Sequence, residues 1–154
     1  METHQDHLVD RWQIIELLNA YAYHFDRNEP VEVGELFDTE AVVDYGPELG
    51  PISKGVLVDT ITVSLQDVFS ATSHHISNIS VEFDADDSAR SIAYVFAWHS
   101  YRDGSPDGFL WGQYHTRLRR IGPGWKFTHM TLKVAGTTDF HRARMHSIGR
   151  KLPG

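Results

Sequence analysis

The second half of the chain contains four long segments that are rich in β-branched and aromatic residues. These segments are Ser73–Asp84, Ala89–Arg102, Phe109–Ile121 and Trp125–Thr138. Runs of this composition, bounded by Gly, Pro, Asp and Ser, are typical of β-strands. Because the connections between them are short, consecutive strands are expected to pair antiparallel. The sequence therefore predicts an antiparallel meander from residue 73 onwards.

The first half of the chain has helical periodicity instead. Residues 8–26, LVDRWQIIELLNAYAYHFD, carry apolar side chains at helical spacing and predict one long amphipathic helix. The apolar stripe consists of Leu8, Ile15, Leu18, Ala22 and Phe25. Pro30 suits the first turn of a second, short helix that ends near Phe37. Residues 56–69 also fit helical spacing, but their β-branched content leaves a strand as the alternative.

The order of these elements predicts one domain over residues 1–154. Ala41–Tyr45 is a short strand candidate, and the following Gly and Pro residues to Pro51 indicate a loop. Helices followed by strands, without an internal repeat or a linker, are typical of an α+β fold in which a curved sheet wraps against the early helices. We expect the basic tail from about residue 139 to be peripheral, and either to cover a sheet edge or to extend into solvent.

Composition restricts the classes of function. Hydrophobic residues make up 41% of the 154 residues, which supports a globular core and excludes a disordered chain. The chain has no cysteine, which excludes disulfides, thiolate metal sites and cysteine nucleophiles. A net charge of −7 argues against a nucleic-acid partner. No apolar run is long enough to span a membrane, and the polar start METHQDH lacks the core of a signal peptide, so we expect a cytoplasmic protein.

The second long segment predicts a cavity on one side of the sheet. Side chains alternate between the two faces of a strand. The bulky face carries Ile92, Tyr94, Phe96 and Trp98, and the small face carries Ser91, Ala93, Val95, Ala97 and His99. If the small face meets the helices, it leaves a mostly apolar void that suits a small hydrophobic molecule. In the alternative arrangement the aromatic face meets the helices and His99 lies at the surface.

The bulky face of this segment needs a cover if the small face points to the helices. No helix is left over to supply one. We therefore expect a second copy of the chain to cover the aromatic face, in a homo-oligomer such as a dimer or a trimer.

Asp26 and His74 are candidates for chemistry in the cavity. Asp26 ends the apolar stripe of the first helix, where a carboxylate caps the next turn, pairs with a partner or takes part in a reaction, because an unpaired buried charge is costly. In the first long segment His74 and Asn78 share one face, and this face suits a polar pocket. His75 points to the opposite face, so at most one of the two adjacent histidines serves a single site.

Three further side chains are candidates for substrate contacts. They are Asn78 on the face of His74, Trp111 in the third long segment and Phe127 in the fourth. The alternation of side chains does not show which face of the third and fourth segments points to the helices. For Trp111 the alternative role is packing.

The stretches that carry these features resemble one known family. They are Tyr21-Ala-Tyr-His-Phe-Asp26, Leu36-Phe37 with Ala41–Tyr45, Thr72-Ser-His-His-Ile-Ser-Asn78, Tyr94-Val-Phe-Ala-Trp-His99 and Gly124-Trp125-Lys126. Over nearly its whole length the chain resembles SnoaL-like proteins of the nuclear transport factor 2-like superfamily. The resemblance implies a cone-shaped α+β barrel, in which a curved, mostly antiparallel sheet wraps around N-terminal helices. It is far more specific for fold than for function.

Within that superfamily the chain is similar to scytalone dehydratase, hexachlorocyclohexane dehydrochlorinase and the bile-acid dehydratases. Their Asp at the end of the first helix and His on the first long strand match Asp26 and His74. Scytalone dehydratase adds matches at His99 and Tyr45, and the bile-acid dehydratases add one at Tyr21. The resemblance implies a lyase or isomerase without cofactor or metal, in which Asp26 orients His74 as general base and the other three residues assist.

The resemblance leaves the reaction and the substrate open. The residues that these enzymes use on their later strands have no match here, so elimination, isomerisation and cyclisation all fit a polyketide- or steroid-like cyclic substrate. Two other functions share the fold, namely a non-catalytic binding protein and a structural subunit similar to the small subunit of ring-hydroxylating dioxygenases. A filled cone would favour the structural subunit. An Asp26–His74 contact inside a hollow would favour the enzyme.

Overall fold

The structure, a computed structural model, describes the backbone of residues 4–154 and the side chains of residues 7–154. The first three residues of the polar start METHQDH therefore lie outside the described residues. The helical elements are α1 (His4–Asp26), α2 (Pro30–Glu35), α3 (Lys54–Val63) and a π-helical turn (Ser64–Val68). The strands are β1 (Phe37–Asp44), β2 (Pro51–Ser53), β3 (Phe69–Ala85), β4 (Ser88–Tyr101), β5 (Gly108–Ile121), β6 (Gly124–Thr138) and β7 (His146–Ser147).

One curved sheet contains all the strands, in the order β2-β1-β6-β5-β4-β3, with β7 also paired to β6. Strands β3 to β6 form the predicted antiparallel meander, whereas β1 and β7 pair with β6 in parallel. The α+β fold with a curved, mostly antiparallel sheet is confirmed, and it has the cone shape that the resemblance implies. Among the helices of residues 4–154, none combines the length and the apolar character needed to cross a membrane.

Residues 56–68 form helix rather than strand, and Phe69 begins β3. The Ser53 hydroxyl accepts a hydrogen bond from the Val56 amide at 3.4 Å and caps the start of α3. Leu57 and Ile61 are fully buried on the inner side of this helix. Burial of these two side chains outweighs the modest helix propensity of the β-branched residues around them.

Helix α1 lies against the sheet through a row of side chains at Ile14, Leu18, Tyr21 and Phe25. Their spacing of four, three and four residues forms one continuous face. Leu8, which the predicted stripe included, is 66% exposed. It precedes Ile14 by six residues, and at about 100° per residue this rotates it roughly 120° away from the buried row. The predicted helix is confirmed, but its buried face is rotated from the predicted stripe.

Strand β4 has the predicted alternation and orientation. Ala93, Val95 and Ala97 face the helices and are almost completely buried. On the other face, Ile92 is 38% and Tyr94 46% exposed in the single chain. The small side chains leave room between the sheet and the helices, as predicted. The second copy of the chain as a cover for the bulky face stays a prediction.

Candidate active site

Asp26 and His74 meet inside the cone. Asp26 is the last residue of α1, and His74 lies near the start of β3. The His74 ring Nδ1 lies 2.7 Å from Asp26 Oδ1, and the His74 backbone N–H donates to Asp26 Oδ2 at 2.8 Å. The Thr72 hydroxyl donates to Oδ1 at 2.9 Å. Both carboxylate oxygens therefore accept hydrogen bonds from β3, which fixes the end of α1 against this strand.

The carboxylate determines which ring nitrogen of His74 carries the proton. An ionised carboxylate can only accept, so Nδ1 must donate and Nε2 keeps its lone pair. The His74 side chain is 5% exposed and packs against the Phe25 ring, with ring centroids 4.7 Å apart. Nε2 makes no hydrogen bond within the described residues. This arrangement leaves an oriented imidazole whose second nitrogen is not used by the protein.

A narrow cavity of about 50 Å³ lies beside this pair, and the atom-free space reaches about 510 Å³ only when the part open to solvent is included. Its walls combine aromatic and aliphatic side chains with a few polar groups. The lining residues that matter for the chemistry are Tyr21, Tyr45, His74, His99, Tyr114 and Arg142. The cone is therefore hollow at the end where Asp26 and His74 lie, and the composition of its walls is typical of a small-molecule site.

Two buried tyrosines lie in one wall of the cavity. The hydroxyls of Tyr21, on α1, and Tyr45, just after β1, are hydrogen-bonded to each other. Burial raises the pKa of Tyr45 to about 12 and raises the pKa of Tyr21 well above its ordinary value. Both hydroxyls therefore keep their protons at neutral pH and can donate hydrogen bonds.

His99 stands at the end of β4, next to His74. The two rings are almost perpendicular, with centroids 5.4 Å apart. Burial, with a smaller contribution from the nearby His74, lowers the pKa of His99 to about 3. Its Nδ1 is buried and has no hydrogen-bond partner among the described residues. His99 is thus a neutral imidazole with unused hydrogen-bonding capacity at the cavity wall.

Asn78 does not face the cavity, and its predicted position there is wrong. It is exposed and has a φ of 51°, a left-handed conformation that Asn tolerates better than most residues. The pairing of β3 with β4 shifts between Ser77 and Ser80. Such a bulge reverses the alternation, so that His74 before it and Val81 after it both point inward.

Trp111 and Phe127 also lie outside the cavity, contrary to the prediction. Trp111 is 46% exposed on the outer face of β5, where its ring stacks beside those of Phe96 and Phe109. Phe127 is completely buried, and its ring packs against Phe37 with centroids 5.1 Å apart. The first residue is part of the exposed aromatic face, and the second belongs to the packed core.

The tail contributes cavity residues that the sequence analysis missed. Phe140, His141 and Arg142 line the cavity, so the tail from about residue 139 is not peripheral. Further along the tail, β7 pairs with Lys133 and Val134 of β6. The aromatic and basic residues at 140–142 were the only signal, and they are equally typical of a solvated tail.

Side chains of the loop after β1 hold the tail in this position. Glu48 Oε1 accepts hydrogen bonds from the backbone N–H groups of Ala143 and Arg144, both at 3.0 Å. His146 Nε2 lies 2.9 Å from Asp44 Oδ1. These contacts fix residues 143–146 on both sides and so position Arg142 at the cavity.

Tyr114 is a second residue that the analysis missed. It lies on the inner face of β5, and its ring centroid is 5.4 Å from that of Tyr21. The alternation along β5 could have indicated Tyr114 only if the inner face of this strand had been known. Within residues 4–154, no group of three or more His, Asp or Glu side chains has the arrangement of a metal site.

Comparisons with known proteins identify similar sequences and folds. The family model of the SnoaL-like domain matches residues 6–131. A protein from Novosphingobium aromaticivorans, provisionally named a scytalone dehydratase, is 33% identical with a TM-score of 0.92, and the match covers 97% of this chain and 100% of that one. No curated protein matches the sequence.

Two further solved structures share the fold. A protein from Novosphingobium aromaticivorans, provisionally named an aromatic ring hydroxylase, is 27% identical with a TM-score of 0.79, over 85% of this chain and 93% of that one. A hexachlorocyclohexane dehydrochlorinase from Novosphingobium barchaimii is 16% identical with a TM-score of 0.80, over 96% of this chain and 100% of that one. At 16% identity the likeness shows the fold alone.

Proposed function

Because the chain belongs to the family of SnoaL-like domains, we propose that it is a cofactor-independent lyase of the dehydratase type. Its substrate is a small hydrophobic cyclic molecule of the polyketide or steroid class. The observation that carries the proposal is the 2.7 Å contact between His74 Nδ1 and Asp26 Oδ1 in the wall of a hollow, mostly apolar chamber. An imidazole that only packs in a core does not need a fixed orientation with its second nitrogen available.

In the proposed reaction His74 is the general base. Its Nε2 removes a proton from the carbon next to a carbonyl group, and the electrons of the broken C–H bond move onto the carbonyl oxygen as an enolate. Asp26 stabilises the imidazolium that forms, because the Nδ1–H···carboxylate hydrogen bond becomes charge-assisted on both sides. Burial of the pair strengthens this interaction relative to water.

The enolate then expels a hydroxyl group from the neighbouring carbon. The C–O bond breaks, a C=C bond forms and the carbonyl is restored, while the departing hydroxyl takes the proton from His74 and leaves as water. In the hydrogen bond between Tyr21 and Tyr45 one hydroxyl donates to the other, so one O–H of the pair remains to donate to the enolate oxygen. The neutral His99 ring lies in the cavity wall, where it can contact the leaving hydroxyl.

The alternatives differ from this proposal in what the chamber does. An isomerase would use the same proton transfer and return the proton to a different carbon, without a leaving group. A non-catalytic binding protein would hold a similar molecule and release it unchanged. The hollow beside Asp26 and His74 argues against a purely structural subunit, for which a filled cone would be sufficient.

The test uses 3-hydroxy-1-tetralone, a cyclic β-hydroxy ketone that loses water to give 1-naphthol. We expect the wild-type protein to form naphthol, followed by fluorescence, and to exchange the protons beside the carbonyl with deuterium, followed by NMR. His74→Ala is expected to lower both rates at least about a hundredfold, because the base is missing.

His75→Ala is the matched control for this experiment. His75 is the next residue of β3, is exposed, and contacts only Ser73 by hydrogen bonding among the described residues. We expect this variant to keep the wild-type rates. Equal loss in both variants, or full activity of His74→Ala, would contradict the assignment of the base. Exchange without naphthol formation would favour the isomerase, and binding without either reaction would favour the binding protein.

A further inference from the structure

We infer that Arg142 is an anchor for an anionic group of the ligand. A carboxylate or an ionised phenol on the ring system would bind its guanidinium, so the preferred ligand is a hydrophobic cyclic acid rather than a neutral ring. This inference deepens the proposed function and rests on it for the reaction, whereas binding of the anion can be measured without turnover.

Arg142 reaches the cavity wall from the tail. Its guanidinium carbon lies 5.5 Å from the centroid of the Tyr45 ring, and Nη1 donates to the Tyr45 carbonyl oxygen at 3.4 Å. Glu48 holds the two following residues through their backbone N–H groups. The arginine is therefore fixed beside the tyrosine pair rather than free to leave for solvent.

The guanidinium has no carboxylate partner within the described residues. The arginines that meet a buried aspartate pair with it, as Arg120 does with Asp10 at 2.6 Å and Arg119 does with Asp38. Glu48 is the acid nearest in sequence to the Tyr45 loop, but its Oε1 is engaged by the tail backbone instead. Arg142 thus differs from these arginines in making no ion pair among the described residues, although the more distant Glu48 carboxylate partly stabilises its charge.

The donor capacity of Arg142 is also unused. A guanidinium has five N–H donors, and only one long hydrogen bond is made here. Burial lowers the pKa of Arg142 from its ordinary value, but arginine stays charged in proteins. An unpaired, partly buried charge is unfavourable, and a ligand that brings an oxyanion would remove this penalty.

The ionisable groups around Arg142 are neutral or already hydrogen-bonded, so Arg142 supplies the positive charge that faces the ligand. Burial lowers the pKa of His99 to about 3, so this ring is neutral near pH 7. Tyr45 keeps its proton, and the Asp26 carboxylate is occupied by three hydrogen bonds from β3. A planar guanidinium is suited to bind a carboxylate through two parallel hydrogen bonds.

An anion held at Arg142 would also orient the substrate. Arg142 and His74 line the same cavity, so fixing one end of the molecule restricts which carbon can reach Nε2.

The test compares anions with neutral molecules of the same shape. The first pair of probes is 1-naphthoate and 1-naphthamide, and the second is 4-nitrophenolate and 4-nitroanisole, with dissociation constants measured by calorimetry on the full chain. We expect the wild type to bind at least one of the anions about tenfold to a hundredfold more tightly than its neutral match. The pair with the larger ratio identifies a carboxylate or a phenolate as the preferred anion.

Arg142→Gln is expected to reduce this ratio to about one, and Arg142→Lys to an intermediate value, because lysine keeps the charge but loses the planar fork. Arg144→Gln is the matched control, since Arg144 is exposed two residues further along the same tail, and its ratio should equal that of the wild type. The His74→Ala variant should keep the ratio even where turnover is lost, which separates failure of the reaction from failure of the anchor.

Two results would overturn the inference. One is equal affinity of the wild type for anion and neutral match in both pairs, which includes the absence of measurable binding by either anion at millimolar concentration. The other is a ratio that stays at the wild-type value in Arg142→Gln, which would assign the preference to another group.

Discussion

Helix α1 carries two aspartates near its opposite ends, and both lie in the interior of the protein with hydrogen-bonded partners. Asp10 accepts hydrogen bonds from Arg120 at 2.6 Å and from the Trp125 indole N–H at 3.0 Å. Asp26 accepts from Thr72 and from the backbone and ring of His74. The two carboxylates are similarly satisfied, so the difference between them lies in the chemistry of their partners.

Arginine and tryptophan cannot exchange a proton at neutral pH, whereas histidine can. Side chains pack closely around the Asp10 cluster, where the Arg120 guanidinium lies 4.8 Å from the Trp125 ring centroid and Phe83 packs edge-on against the same indole. At the Asp26 end the small side chains of β4 leave a chamber instead. A buried aspartate therefore indicates chemistry only when its partner keeps a titratable atom that faces open space.

The largest expected effect is a difference in catalytic activity between variants of the two aspartates. Asp26→Asn should lower kcat/KM for 3-hydroxy-1-tetralone at least about a hundredfold, because an amide neither fixes the His74 tautomer nor stabilises the imidazolium. Asp10→Asn should leave kcat/KM within about twofold of the wild type once the folded fraction is taken into account, since it lies far from the chamber. A loss of activity in both variants that exceeds their loss of folded protein would contradict this distinction.

A smaller effect is a difference in the free energy of unfolding between the same two variants. Asp10→Asn should lower the free energy of unfolding by roughly 2 kcal/mol, because it leaves the partly buried Arg120 guanidinium without its counter-charge. Asp26→Asn should lower it by only about 1 kcal/mol, because the amide oxygen still accepts hydrogen bonds from β3. Urea denaturation of the two variants measures both values, and the opposite order would show that Asp26 has mainly a structural role.

A third difference between the two ends lies in the pH dependence of stability. His99 has a pKa of about 3 in the folded protein and about 6.5 when unfolded, so below pH 6.5 the unfolded chain binds a proton that the folded chain does not. The free energy of unfolding should therefore fall by about 1.4 kcal/mol per pH unit from this residue as the pH decreases from 6.5 towards 3. His99→Gln should remove that part of the slope.

The Asp10 end should respond in a different range. Burial opposes ionisation of Asp10, but hydrogen bonds from Arg120 and Trp125 outweigh it and hold the pKa of this carboxyl below 3.8. Its contribution to stability is present above pH 3.8 and is lost as the pH falls further. Unfolding curves of the wild type, His99→Gln and Asp10→Asn between pH 7 and 3 test both windows. A wild-type slope in His99→Gln would mean that His99 is not buried as a neutral ring.

The prediction from sequence was correct where the periodicity of a single element decides which face a side chain takes. On β4, Ala93, Val95 and Ala97 had to share a face, and the fold brought that face to the helices. The alternation of side chains predicted the wrong face for Asn78. A bulge between Ser77 and Ser80 reverses the alternation. No residue type in that stretch indicates that the strand contains an extra residue. A single irregularity in strand pairing thus changed which side chains reach the chamber.

The tail shows a different limit. The residues from Phe140 to Arg142 have no periodicity, and their position depends on contacts with Glu48 and Asp44, which lie about a hundred residues earlier in the chain. The pairing of β1 with β6 places these two acids beside the tail. No pattern within the tail could therefore predict that Arg142 lines the cavity.

The sequence by itself determined the elements and their class, because helical and strand periodicities and turn residues act over a few neighbouring positions. It also nominated Asp26 and His74, through their positions at the end of one apolar helix and on one face of a strand. Only the tertiary structure decided that the two meet at 2.7 Å, that Trp111 faces outward and that the tail closes the chamber. These outcomes depend on strand register and on packing between distant segments, which no local pattern specifies.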